Sequence, residues 1–110
     1  MANAFKLQTK LVGNADSASI VYTCPSSTET TIIGLNLANR LTSGVTADVT
    51  LVNNDGDNVY IVKSAPIPTG SALVPIGGEQ KLVLNASDIL KVTSSDSDAI
   101  DVALSILEIS

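Results

Sequence analysis

Four aspartates crowd the end of this sequence, Asp88, Asp96, Asp98 and Asp101, set among alternating apolar residues. Carboxylates at i and i+2 of a strand point to one side, where a pair could chelate a cation or share a proton. Asp96 and Asp98, however, fall within Ser94-Ser95-Asp96-Ser97-Asp98, a run of turn formers between two β patterns. Asp and Ser favour turns because their side chains bond their own backbone. We read a hairpin with a polar turn there. Asp101 then lies on the polar face of the last strand, where a solvated charge limits edge pairing. Asp88 closes a turn by accepting backbone N–H bonds ahead of Ile89.

A second oxygen-rich stretch is Asn53-Asn54-Asp55-Gly56-Asp57-Asn58. Closely spaced Asp and Asn around a Gly resemble a calcium loop, with Asp55 and Asp57 as ligands. An EF-hand loop would need ligands over about twelve residues and a closing Glu, and neither is present. Asp-Gly between alternating strands is instead a strong hairpin signal. Histidine is absent, which removes the common nucleophile triads. One cysteine and no histidine make zinc a poor fit. Gly77-Gly78 lacks the strand–loop–helix setting of a phosphate cradle. No catalytic residue, cofactor or metal is assigned.

The elements that hold these residues are strands. The chain has 110 residues, enough for one domain with a core that needs neither metal nor disulfide. Apolar residues make up 45% but aromatics only 3%, so the core is aliphatic. β-branched residues outnumber good helix formers, which favours strands. Phe5 to Val12 alternates, with Phe5, Leu7 and Leu11 inward. Ser19 to Cys24 is stopped by Pro25. Thr30 to Arg40 places Ile33, Leu35 and Leu37 on one face. Val45, Ala47, Val49 and Leu51 alternate with polar residues. Val59 to Lys63, Ser71 to Ile76, Glu79 to Leu84 and Ile89 to Thr93 follow. Pro66 and Pro68 make Ala65 to Gly70 an edge or loop.

The last strand, Ile100 to Ile109, has Ile100, Val102, Leu104 and Ile106 on one face. Leu107 and Ile109 fall on the other, which implies either a bulge or a second face buried against a partner. No stretch carries a 3.6-residue apolar stripe. The expectation is an all-β, single-domain antiparallel β-sandwich over residues 1–110. It has about eight or nine strands and almost no helix, and is either a jelly roll or Ig-like.

Net charge is −5, and Lys6, Lys10, Arg40, Lys63, Lys81 and Lys91 are dispersed, so no basic footprint for nucleic acid exists. No apolar run approaches the length of a membrane span. MANAFKLQTK lacks the apolar centre of a signal peptide. The lone Cys24 rules out an intrachain disulfide and reads as a buried small hydrophobe.

The second half carries a pattern of turn residues and strand alternation. Ile67-Pro68-Thr69-Gly70-Ser71-Ala72-Leu73 is followed by Gly78-Glu79-Gln80-Lys81-Leu82-Val83-Leu84. Asp88-Ile89-Leu90-Lys91-Val92-Thr93-Ser94-Ser95 and Ile100-Asp101-Val102-Ala103-Leu104-Ser105 complete it. With Thr31 to Asn39 and Val45 to Val52, this covers about four fifths of the chain and resembles small virion proteins of tailed bacteriophages, especially marine and cyanobacterial ones. The resemblance implies a non-enzymatic β-sandwich in the virion. Among such roles it favours a head decoration, or cement, protein, synthesised in the host cytoplasm and resident on the capsid surface. Its partners would be the major capsid protein or other virion proteins, and it would self-associate, as a trimer in the favoured case. The alternatives are a neck, tail or fibre-base component, and a carbohydrate-binding adsorption module. The last needs aromatic platforms, and only Phe5, Tyr22 and Tyr60 could serve. For a partner interface the sequence nominates Leu107 and Ile109, and Pro66, Ile67 and Pro68 of the proline loop.

Overall fold

A computed structural model describes residues 3–77 and 81–110. Gly78 and the expected strand start at Glu79 and Gln80 lie outside the described residues. Nine strands run through the described chain: β1 (Asn3–Val12), β2 (Ser19–Thr23), β3 (Glu29–Asn39), β4 (Val45–Val52), β5 (Asn58–Ile67), β6 (Ala72–Ile76), β7 (Leu82–Leu84), β8 (Ile89–Ser94) and β9 (Ile100–Ile109). No helix occurs among the described residues.

The strands form two antiparallel sheets. The first has the order β1-β9-β3-β6, with β7 also paired to β3, and the second has the order β2-β8-β4-β5. Early strands thus pair with late ones: β1 with β9, β2 with β8, β3 with β6, and β4 with β5. That nested pairing is a long hairpin rolled into two sheets, the jelly roll. It decides between the two sandwiches that the alternation alone leaves open.

An aliphatic core fills the space between the sheets. Ile32, Leu35 and Leu37 of β3 form one cluster with Val45, Ala47 and Val49 of β4 and Leu90 and Val92 of β8. Ile100, Val102, Leu104 and Ile106 of β9 complete it, each 2% exposed or less. These residues alternate with polar ones because strand side chains point to opposite faces.

Register corrects several expectations. On β1, Lys6 pairs with Ile106, Gln8 with Leu104, Lys10 with Val102 and Val12 with Ile100. Directly paired residues share a face. The polar residues of β1 therefore line up with the core face of β9, while Phe5, Leu7 and Leu11 point out of the sandwich. They are 77%, 65% and 40% exposed. Lys6, Gln8 and Lys10 reach solvent around the rim because β1 is an edge strand. On β3 the pairing with β9 slips between Ile32 and Gly34. This bulge turns Ile32 into the core and leaves Ile33 half-buried.

The Asp96–Asp98 turn is not a hairpin, because β8 and β9 lie in different sheets. It carries the chain across the sandwich. Ser94 Oγ donates to the Asp96 carbonyl (2.8 Å) and the Asp98 N–H donates to the Gly13 carbonyl (3.2 Å), with Asp98 at φ 53°. Asp101 lies on a central strand rather than an edge, since β9 is flanked by β1 and β3. β5 extends past Lys63 through Pro66 as the edge of the second sheet, where a proline without its N–H is tolerated.

Two turns behave as expected. In Asn53–Asn58 the Asn53 side-chain oxygen accepts from the N–H groups of Asp55 and Asp57, both at 3.0 Å, and Gly56 sits at φ 91°. This is the β4–β5 hairpin. Asp88 is buried and its carboxylate accepts from the Asn85 N–H and the Asn54 N–H, both at 2.9 Å. Its backbone carbonyl accepts from the Cys24 N–H (2.8 Å). One residue thus ties the β7–β8 turn to the β4–β5 hairpin and the β2–β3 loop. Asp88→Ala leaves two part-buried N–H donors without acceptors and costs about 2–4 kcal/mol. Urea unfolding should show the lowered midpoint at an unchanged slope. A variant as stable as the parent would refute this role.

Candidate functional site

Pairing across the first sheet sets Phe5 beside Leu107, Leu107 beside Thr31, and Thr31 beside Val83. All four point outward, away from Ile32, Ile106 and Leu84 in the core. The row crosses four strands. Leu7 and Leu11 extend it along β1, and half-buried Ile33, Leu107 and Ile109 fill its floor. Phe5, the one phenylalanine of the chain, is the most exposed of its large apolar side chains among the described residues.

Towards the other end of this face the side chains shrink. Thr9, Ala103, Asn36 and Ala38 line a shallow depression of about 420 Å³, bounded by Lys10, Leu11 and Asp101. Charge lies towards the ends of the face: Glu29 where β3 begins and, at the other end, Lys10 and Asp101 at the depression, with Asp101 in an exposed ion pair to Arg40 (3.5 Å). An uncharged apolar centre within a polar rim is the anatomy of a protein interface.

The nominated residues divide. Leu107 and Ile109 lie on this face, and β9 reaches them without a bulge in its pairing with β1. Phe5 and Leu7 join them, although alternation within β1 pointed them inward. The proline loop is separate. Pro66 and Pro68 are exposed and line an apolar depression of about 400 Å³ with Gly44, Val45, Thr46 and Ser95. Ile67 is 1% exposed and belongs to the core, so its side chain is not available to a partner. Its carbonyl accepts from the Asn39 side-chain amide at 3.0 Å.

The inward alternation of β9 continues to Glu108, which sequence reasoning missed. Its carboxylate accepts from the Tyr22 hydroxyl and pairs with the Lys6 ammonium at 2.7 Å. Tyr22 Oη also lies 2.9 Å from Thr30 Oγ1, which contacts Cys24 Sγ at 3.3 Å. Strands β1, β9, β2 and β3 meet in this one polar chain, which fastens the two sheets at one end. The only sequence clue is a Glu at an inward position of β9, and its partners lie more than 80 residues away.

Aromatic platforms for a sugar are scarce. Tyr22 is 5% exposed and spent on this network. Tyr60 is half-exposed, with the Lys63 ammonium over its ring at 5.1 Å. Among the described residues no group of three metal-ligating side chains is found, and no helix is long and apolar enough to cross a membrane. In the Asn53–Asn58 turn the Asn53 side-chain oxygen is taken up by the N–H groups of Asp55 and Asp57, as in a hairpin turn.

No family model matches the chain, and no curated protein matches it. Among solved structures it is similar to a chain of the infectious bursal disease virus Gt strain, at a TM-score of 0.46 and 12% identity. The match covers 98% of this chain and 30% of that one.

The Lys6 ammonium, and then the Tyr22 hydroxyl, hold the Glu108 carboxyl below the usual carboxylate range. Burial, and then the bond to Glu108, push the Tyr22 phenol upward. A carboxylate depressed in the folded state contributes stability above its unfolded pKa, about 4.3 for Glu, and loses it as pH falls through the lower folded value. Glu108→Gln should therefore melt below the parent at neutral pH. The gap should close as pH falls below about 4. A gap that stays constant from neutral to acid pH in thermal melts would contradict the charged clamp.

Proposed function

We propose that the chain is a non-enzymatic structural component of a virion, a head decoration protein that binds and stabilises the shell. The observation that carries this reading is the outer face of the first sheet. An acidic chain with a single Phe places it on that surface, beside Leu7 and Leu107. Burying a side chain of this kind is worth about 1.5–3 kcal/mol, which solution leaves unused and a partner recovers. Two further supports are independent of it. The turn and strand pattern of Ile67–Ser105 resembles small virion proteins of tailed phages. The jelly roll is an architecture of viral capsid domains, though also of lectins and cupins, so it counts as analogy.

The physical task suits such a block. A decoration protein contacts several shell subunits at once. Each contact can be modest, because a fixed lattice raises the effective concentration of the next. The apolar face and the Pro66–Pro68 depression are then separate contacts for shell subunits or for further copies, a trimer being the form favoured by the resemblance.

The decisive measurement is the copy number of this chain in purified particles, relative to the main shell protein, by quantitative mass spectrometry. Cement predicts a ratio near one, as for a trimer on each three-fold of the shell, or about one third for a single copy there. A ratio of a few per cent would reassign it to the neck, tail or fibre base. Absence from particles would overturn the virion reading. On the surface itself, replacing Leu107 and Ile109 together with Ser should abolish particle binding while circular dichroism stays that of the parent. Undiminished binding would exclude this face from the contact.

A further inference from the structure

We propose that the outer face of the first sheet packs against the same face of a second copy. The two-fold axis lies between the two sheets and runs perpendicular to the strands. It uses the face that carries the virion reading and assigns it to a second copy, which leaves the Pro66–Pro68 depression to meet the shell.

Three observations select this occupant. The first is charge. A second copy of an acidic chain, net charge −5, would ordinarily be repelled. Here the centre of the face is uncharged; Glu29 stands at one end, at the start of β3, and the Arg40–Asp101 ion pair at the other. The two-fold reverses strand direction, so Glu29 of each copy lies beside the Arg40–Asp101 pair of the other.

The second is shape. The face is bulky at one end, with Phe5, Leu7 and Leu107, and hollow at the other, where Thr9, Asn36, Ala38 and Ala103 line the depression of about 420 Å³ and Lys10 and Asp101 stand at its border. One axis satisfies shape and charge together. Pairing sets Leu7 and Gln8 of β1 level with Ser105 and Leu104, and these level with Gly34 and Leu35 of β3. An axis at that level carries Phe5 to the height of Lys10, above the hollow. It carries Glu29 to the height of Asn39, next to Arg40. Ser105 and Gly34, small outward residues of the two central strands, lie at the axis and let the sheets approach.

The third is size. Three strands of ten or eleven residues about 4.8 Å apart, with the short β6 and β7 together beyond β3, give a face of roughly 600 Å² in plan, somewhat less than the about 800 Å² each partner contributes to a standard interface. Pairing through the β1 edge is the less suitable route. Lys6 and Lys10 sit along that edge and would oppose one another, and inward lysines are a known guard against edge association.

Sedimentation velocity of the purified chain over a concentration series tests this. The expected species is a dimer of twice the chain mass. Phe5→Ser should raise its dissociation constant by roughly 30-fold, as loss of an anchor does, with circular dichroism unchanged. Arg40→Glu should weaken it as well. Glu29→Arg combined with Arg40→Glu should restore it, because the swapped charges again face each other across the axis. A monomer at every concentration, or a trimer, overturns the proposal, since a closed three-fold cannot be built from an isologous face alone. So does a dimer indifferent to Phe5→Ser and to the charge pair. In the monomer case, capture of the chain by purified shell protein, lost in Phe5→Ser, would assign the face to that partner instead.

Discussion

Strand β9 is the constraint on which the rest of the molecule depends. It lies between β1 and β3 and pairs with each along its whole length. It therefore has no edge and supplies two complete faces. Its inward residues, Ile100 to Ile106, are a large share of the aliphatic core. Glu108, the next inward position, is where hydrocarbon gives way to a polar clamp. Its outward residues end in Leu107 and Ile109, the floor of the exposed apolar surface. Core, clamp and candidate interface follow from one strand whose alternation never breaks.

β1 takes its character from that pairing. Taken alone, Phe5, Leu7 and Leu11 alternate as a buried face should. The ten-rung register with β9 assigns the faces instead, and Val12↔Ile100 fixes the phase. Shifting β1 by one residue would exchange Phe5 and Leu7 for Lys6 and Gln8 on the outside. It would also break the Lys6–Glu108 pair. Polar residues of an edge strand can reach water around the rim, so Lys6 and Lys10 lose little by facing inward. A central strand could not tolerate the same inversion.

Local structure was therefore far more legible in the sequence than orientation. The bounds of β9 match its alternation from Ile100 to Ile109, and Asp55-Gly56 announced its hairpin. Turn chemistry is written in neighbouring residues, and so is period two. Which face is inside is decided by partners elsewhere in the chain. That is why β1 is inverted and why Ile33, displaced by the bulge at Ile32–Gly34, exchanges roles with Ile32. The Asp96–Asp98 run was readable as a turn but not as a crossing between sheets, because nothing local distinguishes the two. At the candidate site, the lapse from polar to apolar at Leu107 and Ile109 was visible. Phe5 and Leu7 beside them were not, since their adjacency exists only through pairing. The Tyr22–Glu108 clamp spans 86 positions and left no local trace.

An aliphatic core of this kind buries surface well but specifies position poorly. Val, Ile and Leu have no directional contacts, and one rung of sliding costs little unless something else marks the register. Polar groups at the ends of the sandwich supply the marks. Tyr22, Thr30 and Glu108 join the sheets at one end. Asp88 ties three loops together, and the Asn39 side chain bridges the carbonyls of Ser43 and Ile67. Among the described residues every buried side-chain N or O atom has a partner, as a polar network must if it is to specify rather than weaken a fold. The division of labour then extends to the surface. With register fixed internally, the outer face of the first sheet is not needed to mark it, and Phe5 and Leu7 stand exposed there outside the core.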